Sequence, residues 1–324
     1  MSMWQLLFLL GSALADRKFS ISGLSAGAYF AVQMEVAYSE TCLGAGVIAG
    51  GPYYCSQGSL ERSASDCMLL YDLIDIPTLV NYTETMASQG LIDPTANLAS
   101  HYVFLLSGLL DTMVNQGVVK KLQTYLETYI PASNILTEFS LPAENAFITD
   151  FYGAACAYLG VPYMNNCLYD SAGQILTAIY GPLKAKGSSD LSHYYSFGQK
   201  EYFSAIDWET ASMADTGYMY VPAGCMASDS TCQVHIVAHG CGQNYLQNLE
   251  TVIHFAGYNE WAESNDLIIL YPQAAISVET NPLGCFDWWG YTNSDFALKR
   301  GVQAAGVYAM VQSLPALQQL PISY

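Results

Sequence analysis

The residues best suited to chemistry stand near the start of the chain, in the pentapeptide Gly23-Leu24-Ser25-Ala26-Gly27. Alternating polar and apolar residues over 18–23 predict a strand before it, and the spacing of Ala, Val, Met and Glu over 28–39 predicts a helix after it. A Gly-x-Ser-x-Gly sequence between a strand and a helix is typical of a nucleophile elbow, whose small residues permit the strained turn that presents the hydroxyl. The alternative is a chance pattern in a glycine-rich chain. We predict that Ser25 is a nucleophile.

A nucleophilic serine also needs N–H groups that bind the oxyanion formed during acyl transfer. The backbone N–H of Ala26 is the first candidate. The second is expected in the His-Gly-Cys-Gly-Gln loop at 239–243, which follows a predicted strand at 234–238. In ordinary α/β-hydrolases this loop precedes the elbow along the chain, so the order here is a circular permutation. Such a rearrangement is tolerated when the chain termini lie close together at the surface.

The elements that must position these residues alternate along the chain. Residues 118–129 and 249–262 are predicted to be helices. Short apolar runs predict further strands at 47–49, 102–106, 135–139, 234–238 and 267–271. Strands that alternate with helices predict a mostly parallel sheet with helices on both faces. We interpret the polar, Ser- and Tyr-rich stretch 181–217 as an irregular surface excursion within a single domain, 16–324.

Composition limits the classes of partner. Of the 324 residues, 52% are hydrophobic and 12% are charged, which excludes disorder and allows a large core. Ten Lys and Arg against 28 Asp and Glu give a net charge of -18, which would repel nucleic acid. After the N-terminus no stretch reaches about 18 apolar residues without charges, so we expect no membrane anchor. The sequence shows no phosphate-binding glycine loop and no ligand cluster, so we expect no cofactor, and we expect a monomer.

The N-terminus predicts secretion. An apolar run over 6–10 is followed by Ala13-Leu14-Ala15, which has the small-x-small form of a signal-peptidase site. Residues 1–15 are therefore predicted to be a signal peptide, cleaved before Asp16, although no Lys or Arg precedes the run. A buried N-terminal strand or helix is the alternative. The sequon at Asn81 predicts glycosylation, which is consistent with an extracellular protein.

The nine cysteines fall mostly in close pairs. In an oxidising compartment such pairs predict short-loop disulfides, and buried free thiols are the alternative. The predicted bridges are Cys55–Cys67, Cys156–Cys167 and Cys225–Cys232, with Cys241–Cys285 as the natural fourth pair. Cys42 is then left over, and if exposed it could join two chains. The absence of Cys-x-x-Cys and of histidines at zinc-finger spacing argues against a zinc site.

Segments along the whole predicted mature chain resemble the secreted poly(3-hydroxybutyrate) depolymerases, whose α/β-hydrolase domain is circularly permuted. The matching segments are SGLSAGAY (22–29), AGGPYYC (49–55), SGLLD (107–111), ADTGY (214–218), HGCGQ (239–243), LYPQ (270–273) and NPLGCFDWWGY (281–291). The resemblance implies a permuted α/β-hydrolase fold. It also implies a secreted serine esterase that hydrolyses polyester or other carboxylic ester bonds.

By position, the resemblance implies roles for individual residues. Ser25 corresponds to the nucleophile and Asp111 to the triad carboxylate, which orients and stabilises an imidazole. An Asp just after a strand could instead cap the following helix. The backbone N–H of Cys241 corresponds to the second oxyanion donor. Trp288 corresponds to an aromatic residue that lines the ester-binding crevice, although a lone Trp is more often part of a core.

The chain departs from the family at the base. The family places its catalytic histidine shortly before a Thr-Asp-Phe segment, found here at 149–151, but the matching position holds Asn145. An asparagine can hydrogen-bond a serine hydroxyl but cannot take its proton. Loss of the base from a serine triad costs about 10⁶ in turnover. About 10³ to 10⁴ over the reaction in water can remain, from the oxyanion hole and binding.

Other residues could compensate for the missing histidine. His193 could enter the site from the polar stretch, and Glu144 could act as a weak base. His235 and His239 belong to the predicted strand and oxyanion loop, and His254 belongs to a helix face. If none of these acts as a base, the chain is a catalytically inactive relative that serves as a binding or structural protein.

Overall fold

A central sheet of eight strands organises the chain. The computed structural model describes residues 16–203, 208–227, 231–248 and 250–317, so the predicted signal peptide lies outside the described residues. The strands of this sheet are β1 (Phe19–Leu24), β2 (Cys42–Ile48), β3 (Tyr102–Leu106), β4 (Ile135–Glu138), β8 (Tyr194–Gly198), β9 (Thr216–Tyr220), β10 (Gln233–Ala238) and β11 (Leu267–Tyr271). A second, small sheet contains β5 (Phe147–Thr149), β6 (Ala154–Ala155) and β7 (Met164–Asn166).

The strand order of the large sheet is β4-β3-β2-β1-β10-β11-β9-β8. The six strands from β4 to β11 are parallel, whereas β9 is antiparallel to both β11 and β8. The sheet is therefore mostly parallel, as predicted. β10 comes late in the chain and pairs with β1, which is the arrangement that the permuted order requires. The elbow and the 239–243 loop thus leave neighbouring strands at the same edge of the sheet.

Helices cover both faces of the sheet, as predicted. They are α1 (Ala26–Ala37), α2 (Leu60–Ala64), α3 (Ile76–Ser88), α4 (Gln116–Leu126), α5 (Ser171–Tyr180), α6 (Trp208–Ala211), α7 (Tyr245–Asn248), α8 (Thr251–Phe255), α9 (Tyr258–Asn265) and α10 (Val302–Leu317). On one face, Tyr180 of α5 and Tyr258 of α9 reach Ser20 and Ser22 of β1. On the other face, α1 packs against β1 and α10. None of the described helices is long and apolar enough to cross a membrane.

Two predictions about the elements were wrong. The stretch 181–217 is not wholly irregular, because it supplies β8, α6 and the start of β9. Both strands are antiparallel and partly exposed, so they lack the continuous apolar run that marks a buried parallel strand. The helix predicted over 249–262 is broken, because Gly257 has a left-handed backbone with φ 89° between α8 and α9. Neither error affects the predicted positions of the elbow and of the 239–243 loop.

The cysteine pairing is confirmed. The described residues contain four disulfides, which join the four predicted pairs. Cys42 is free but buried at the start of β2, so the exposure that a bridge between two chains requires is not met. Asn81 is exposed on α3, where the predicted glycosylation would place the glycan on the surface.

The helix that follows the elbow carries a buried acid and base. Glu35 of α1 is fully buried, and its Oε1 lies 3.2 Å from Nδ1 of the buried His101. Nε2 of His101 lies 3.0 Å from the carbonyl oxygen of Ser39, so Nε2 must carry a proton. One further proton must lie between Nδ1 and the Glu35 carboxyl, on either group. The pair therefore pins α1 to the turn that precedes β3.

We expect Glu35→Ala to lower the free energy of unfolding by about 3 kcal/mol or more, because it removes one partner of a buried pair. Glu35→Gln should cost less, since its amide N–H can donate to Nδ1 of His101. Urea denaturation of the native protein and both variants measures the difference. Equal losses in the two variants would contradict this account of the pair.

Candidate active site

The predicted strained turn is present at Ser25. This residue lies between β1 and α1 with φ 53° and ψ -119°, and its N–H donates to the carbonyl oxygen of Ile48. The flanking glycines are required by close packing. A Cβ on Gly23 would lie 2.3 Å from the Gly27 backbone, and one on Gly27 would lie 2.2 Å from the carbonyl oxygen of Ala238. The sequence thus forms an elbow that raises a half-buried serine at the start of a helix.

The two N–H groups predicted to bind an oxyanion lie on the residue after Ser25 and on the loop after β10. The 239–243 loop is held by a bond from the Gly240 N–H to Oε1 of Gln243 and by the disulfide from Cys241 to Cys285. Within the described part of the chain, the N–H groups of Ala26 and Cys241 donate to no protein acceptor. Ser25 and Cys241 line the same cavity. Free N–H groups at a helix start and an adjacent loop are the elements of an oxyanion hole.

The Asp111 carboxylate caps the turn after β3 and not the following helix, whose N-cap is Asn115, and it also reaches Asn145. Its Oδ1 accepts the N–H groups of Met113 and Val114, which caps the turn after β3. Its Oδ2 accepts Nδ2 of Asn145 at 3.0 Å. Burial raises the pKa of Asp111 to about 6, against the lowering effect of these donors, and the nearby Glu144 carboxylate adds to the rise.

Asn145 bonds to the Asp111 carboxylate and also lines the cavity that Ser25 lines. It is 6% exposed. Because its amide nitrogen donates to Asp111, the amide oxygen is the group left to accept a hydrogen bond. That oxygen can accept the Ser25 O–H but is not basic enough to remove the proton. Of the contacts in a triad, the structure shows the bond to the carboxylate, made here by a side chain that is not a base.

Glu144 is not available as a substitute base. Its carboxylate accepts the N–H of Thr112, the hydroxyl of Thr112 and the N–H of Asn145. It is buried and directed at these donors. The suggestion that it acts directly on Ser25 therefore receives no support from the structure.

His193 lies at the wrong end of the sheet. It precedes β8, which runs parallel to β1 because two antiparallel pairings separate them. The register places Tyr194 in line with Ser20, at the start of β1, whereas Ser25 follows the other end of that strand. Four strand spacings add about 19 Å of lateral separation. The Nδ1 of His193 is also 2.9 Å from Glu263, so this residue does not supply the base.

The histidines near β10 are structural. The Nδ1 of His239 donates to the carbonyl oxygen of Gly240, and its Nε2 accepts the N–H of Ala274. His235 lies between the hydroxyls of Ser20 and Ser22. Burial lowers the pKa of His239 to about 4 and that of His235 to about 3, so both are neutral. Each ring supports the strands that carry the elbow and oxyanion loop.

A crevice of about 300 Å³ opens over Ser25 and has mainly apolar walls. One wall is formed by Trp288 and Trp289, whose ring centroids are 5.8 Å apart in an edge-to-face contact. Trp288 is 6% exposed and stacks on Tyr29 of α1 at 4.0 Å, so it is both a core residue and a lining residue. The lining also includes Leu60 from the segment closed by the Cys55–Cys67 disulfide. The contribution of this segment to the crevice was missed from the sequence, where only the close cysteine pair marked it.

Comparison with known proteins decides the family. The chain is 42% identical over 296 residues to a poly(3-hydroxybutyrate) depolymerase of Delftia acidovorans, covering 90% of this chain and 58% of that protein. It is 37% identical over 311 residues to a polyhydroxybutyrate depolymerase of Talaromyces funiculosus, covering 91% and 88%. The chain belongs to the poly(3-hydroxybutyrate) depolymerase family. It spans little more than half the length of the Delftia relative. No protein-family model matches the chain.

Solved structures of poly(3-hydroxybutyrate) depolymerases confirm the fold. The chain is 34% identical to the crystal structure of the enzyme from Penicillium funiculosum, with a TM-score of 0.82 and coverage of 91% of this chain and 94% of that one. A depolymerase complexed with an R3HB trimer gives the same identity and coverage with a TM-score of 0.83. The predicted α/β-hydrolase fold is therefore confirmed.

Proposed function

We propose that this chain is a serine hydrolase of the depolymerase family that binds poly(3-hydroxybutyrate)-type ester chains and turns them over slowly, limited by Asn145. The proposal rests on one observation: Ser25 and Cys241 line the same apolar crevice, and the free N–H of Ala26 directly follows Ser25 at the start of α1. A structural neighbour complexed with an R3HB trimer supports the substrate class. The roles of Ser25, Asp111, Asn145 and Trp288 are part of this proposal.

The reaction follows from the groups present. The Ser25 oxygen attacks the ester carbonyl carbon, and the N–H groups of Ala26 and Cys241 bind the oxygen that becomes negative. The serine proton passes to water in the crevice, because Asn145 cannot hold it. The alkoxide of the departing hydroxyacid leaves and takes a proton from water. A second water then hydrolyses the acyl-serine, which releases the acid and restores Ser25.

An extracellular location, a single catalytic domain and a monomeric state are part of the same proposal. Four disulfides fit an oxidising, extracellular compartment, in agreement with a cleaved signal peptide at 1–15. The remaining chain, 16–324, would be one catalytic domain. With Cys42 buried, no thiol in the described residues is placed to link two chains, which fits a monomer.

Asn145 favours a second candidate, a binding protein without turnover. Its side chain preserves the bond to Asp111 and the shape of the site, so the crevice can hold an ester chain with no base to start the reaction. The two candidates share the ligand and differ only in whether Ser25 reacts.

We expect a fluorophosphonate probe to label Ser25 and an R3HB trimer to quench the tryptophan fluorescence of the wall. The Ser25→Ala variant should lose the label, because it lacks the nucleophile, and should keep the quenching. Quenching without any labelling would overturn slow turnover and favour the binding protein. If neither occurs, the proposed ligand class is wrong.

A further inference from the structure

We infer that Asp287 is the positioning residue that holds the tryptophan wall of the crevice, which deepens and rests on the proposed binding of ester chains there. Asp287 is 2% exposed, immediately precedes Trp288, and is not among the residues that line the cavity. It would therefore act on a ligand through the wall rather than by contact.

The carboxylate of Asp287 accepts hydrogen bonds from the backbone of residues 289–292. Its Oδ1 accepts the N–H groups of Trp289, Gly290 and Tyr291, at 3.2, 2.7 and 3.1 Å. Its Oδ2 accepts the N–H and hydroxyl of Thr292, at 2.9 and 2.6 Å. Successive N–H groups that converge on an anion form a nest, which fixes the course of the chain.

The backbone of Asp287 ties this nest to two helices. Its N–H donates to Oε1 of Gln303 on α10, and its carbonyl oxygen accepts Nε2 of Gln33 on α1. Both glutamines are buried. Since α1 begins at the elbow, the wall and the nucleophile are fixed to the same helix.

The nest sets the direction of the two indoles. Trp288 stacks on Tyr29 of α1, and its carbonyl oxygen accepts the hydroxyl of Ser56. Trp289 lies across Trp288 and contacts Tyr291 at 4.8 Å between ring centroids. With the N–H groups of 289–292 turned towards the carboxylate, the two indoles line the cavity that holds Ser25.

The hydrogen-bond donors of the nest stabilise the negative charge of Asp287. Among the ion pairs of the described residues Asp287 has no cationic partner, so hydrogen bonds alone offset the cost of burying its carboxylate. An asparagine of the same shape would keep one acceptor oxygen but turn an NH₂ group towards the N–H and hydroxyl of Thr292. That change loosens the nest without creating a cavity.

The test compares Asp287→Asn with Asp295→Asn. The control removes one negative charge from the same segment, at a residue that pairs with Arg300 and makes no contact with the nest. We expect Asp287→Asn to weaken R3HB trimer binding by about tenfold to a hundredfold, as for a buried group left unsatisfied. It should also change the near-ultraviolet circular dichroism of the tryptophans, whereas the control should change neither.

If Asp287 positions the wall, Asp287→Asn in the Asn145→His background should affect a short ester and the trimer differently. Hydrolysis of nitrophenyl acetate, which is too short to span the wall, should keep its kcat, whereas the KM for the trimer should rise. Equal losses with both esters would mean a general structural role and overturn the inference. An unchanged circular dichroism spectrum in Asp287→Asn would overturn it even if the native protein binds no trimer, an outcome that would separately refute the proposed function.

Discussion

Replacing Asn145 by histidine should raise the kcat for a short nitrophenyl ester by about 10³-fold or more, because it returns a base to an otherwise assembled triad. Asp111 Oδ2 already accepts a side-chain N–H from this position, so a histidine can donate its Nδ1–H to the same oxygen. Its Nε2 would then be directed at the serine. Steady-state kinetics of the native protein and the variant measure the gain.

Two further variants test whether the gain in kcat comes from an imidazole that acts on Ser25. Asn145→Gln changes the size of the side chain but keeps an amide, so it should show no gain. Asn145→His combined with Ser25→Ala should lose the gain entirely. If Asn145→His is no faster than the native protein, either the imidazole does not reach the serine or the oxyanion donors are misplaced, and the proposed geometry is wrong.

The effect of Asp111→Asn should depend on what stands at position 145. In the Asn145→His background it should lower kcat by about 10⁴-fold, because the imidazole loses the carboxylate that fixes its tautomer. In the native background the loss should be less than about tenfold, since an amide has no imidazole tautomer to select. The kcat of the four proteins, native, each single variant and the double variant, gives the coupling directly.

One outcome would contradict this dependence of Asp111 on position 145. A loss of equal size in both backgrounds would mean that Asp111 serves the native reaction without an imidazole, and Asn145 would not be the limiting substitution. The caps at Met113 and Val114 provide a control for folding, because Asp111→Asn retains an acceptor oxygen for them. Thermal unfolding of the variants should therefore remain cooperative.

Local patterns predicted the parts of the fold that depend on neighbours in sequence. The apolar runs 102–106 and 267–271 coincide with β3 and β11, because fully buried parallel strands need continuous apolar segments. The elbow was predictable because its strained turn requires small residues at Gly23 and Gly27. The antiparallel strands β8 and β9 were missed, since their stability comes from pairing of β9 with β11 and of β8 with β9.

The sequence by itself determined the family, the missing histidine and the cysteine pairs, because each depends on which residue type stands at a position. Only the tertiary structure decided whether another residue can take the place of the missing histidine. Glu144 is held by Thr112, His193 lies at the opposite end of the sheet, and Asn145 joins Asp111 across 34 positions of the chain. The reason is physical: sheet direction, burial and hydrogen bonding between distant segments determine which groups can reach Ser25, and no local pattern encodes those distances.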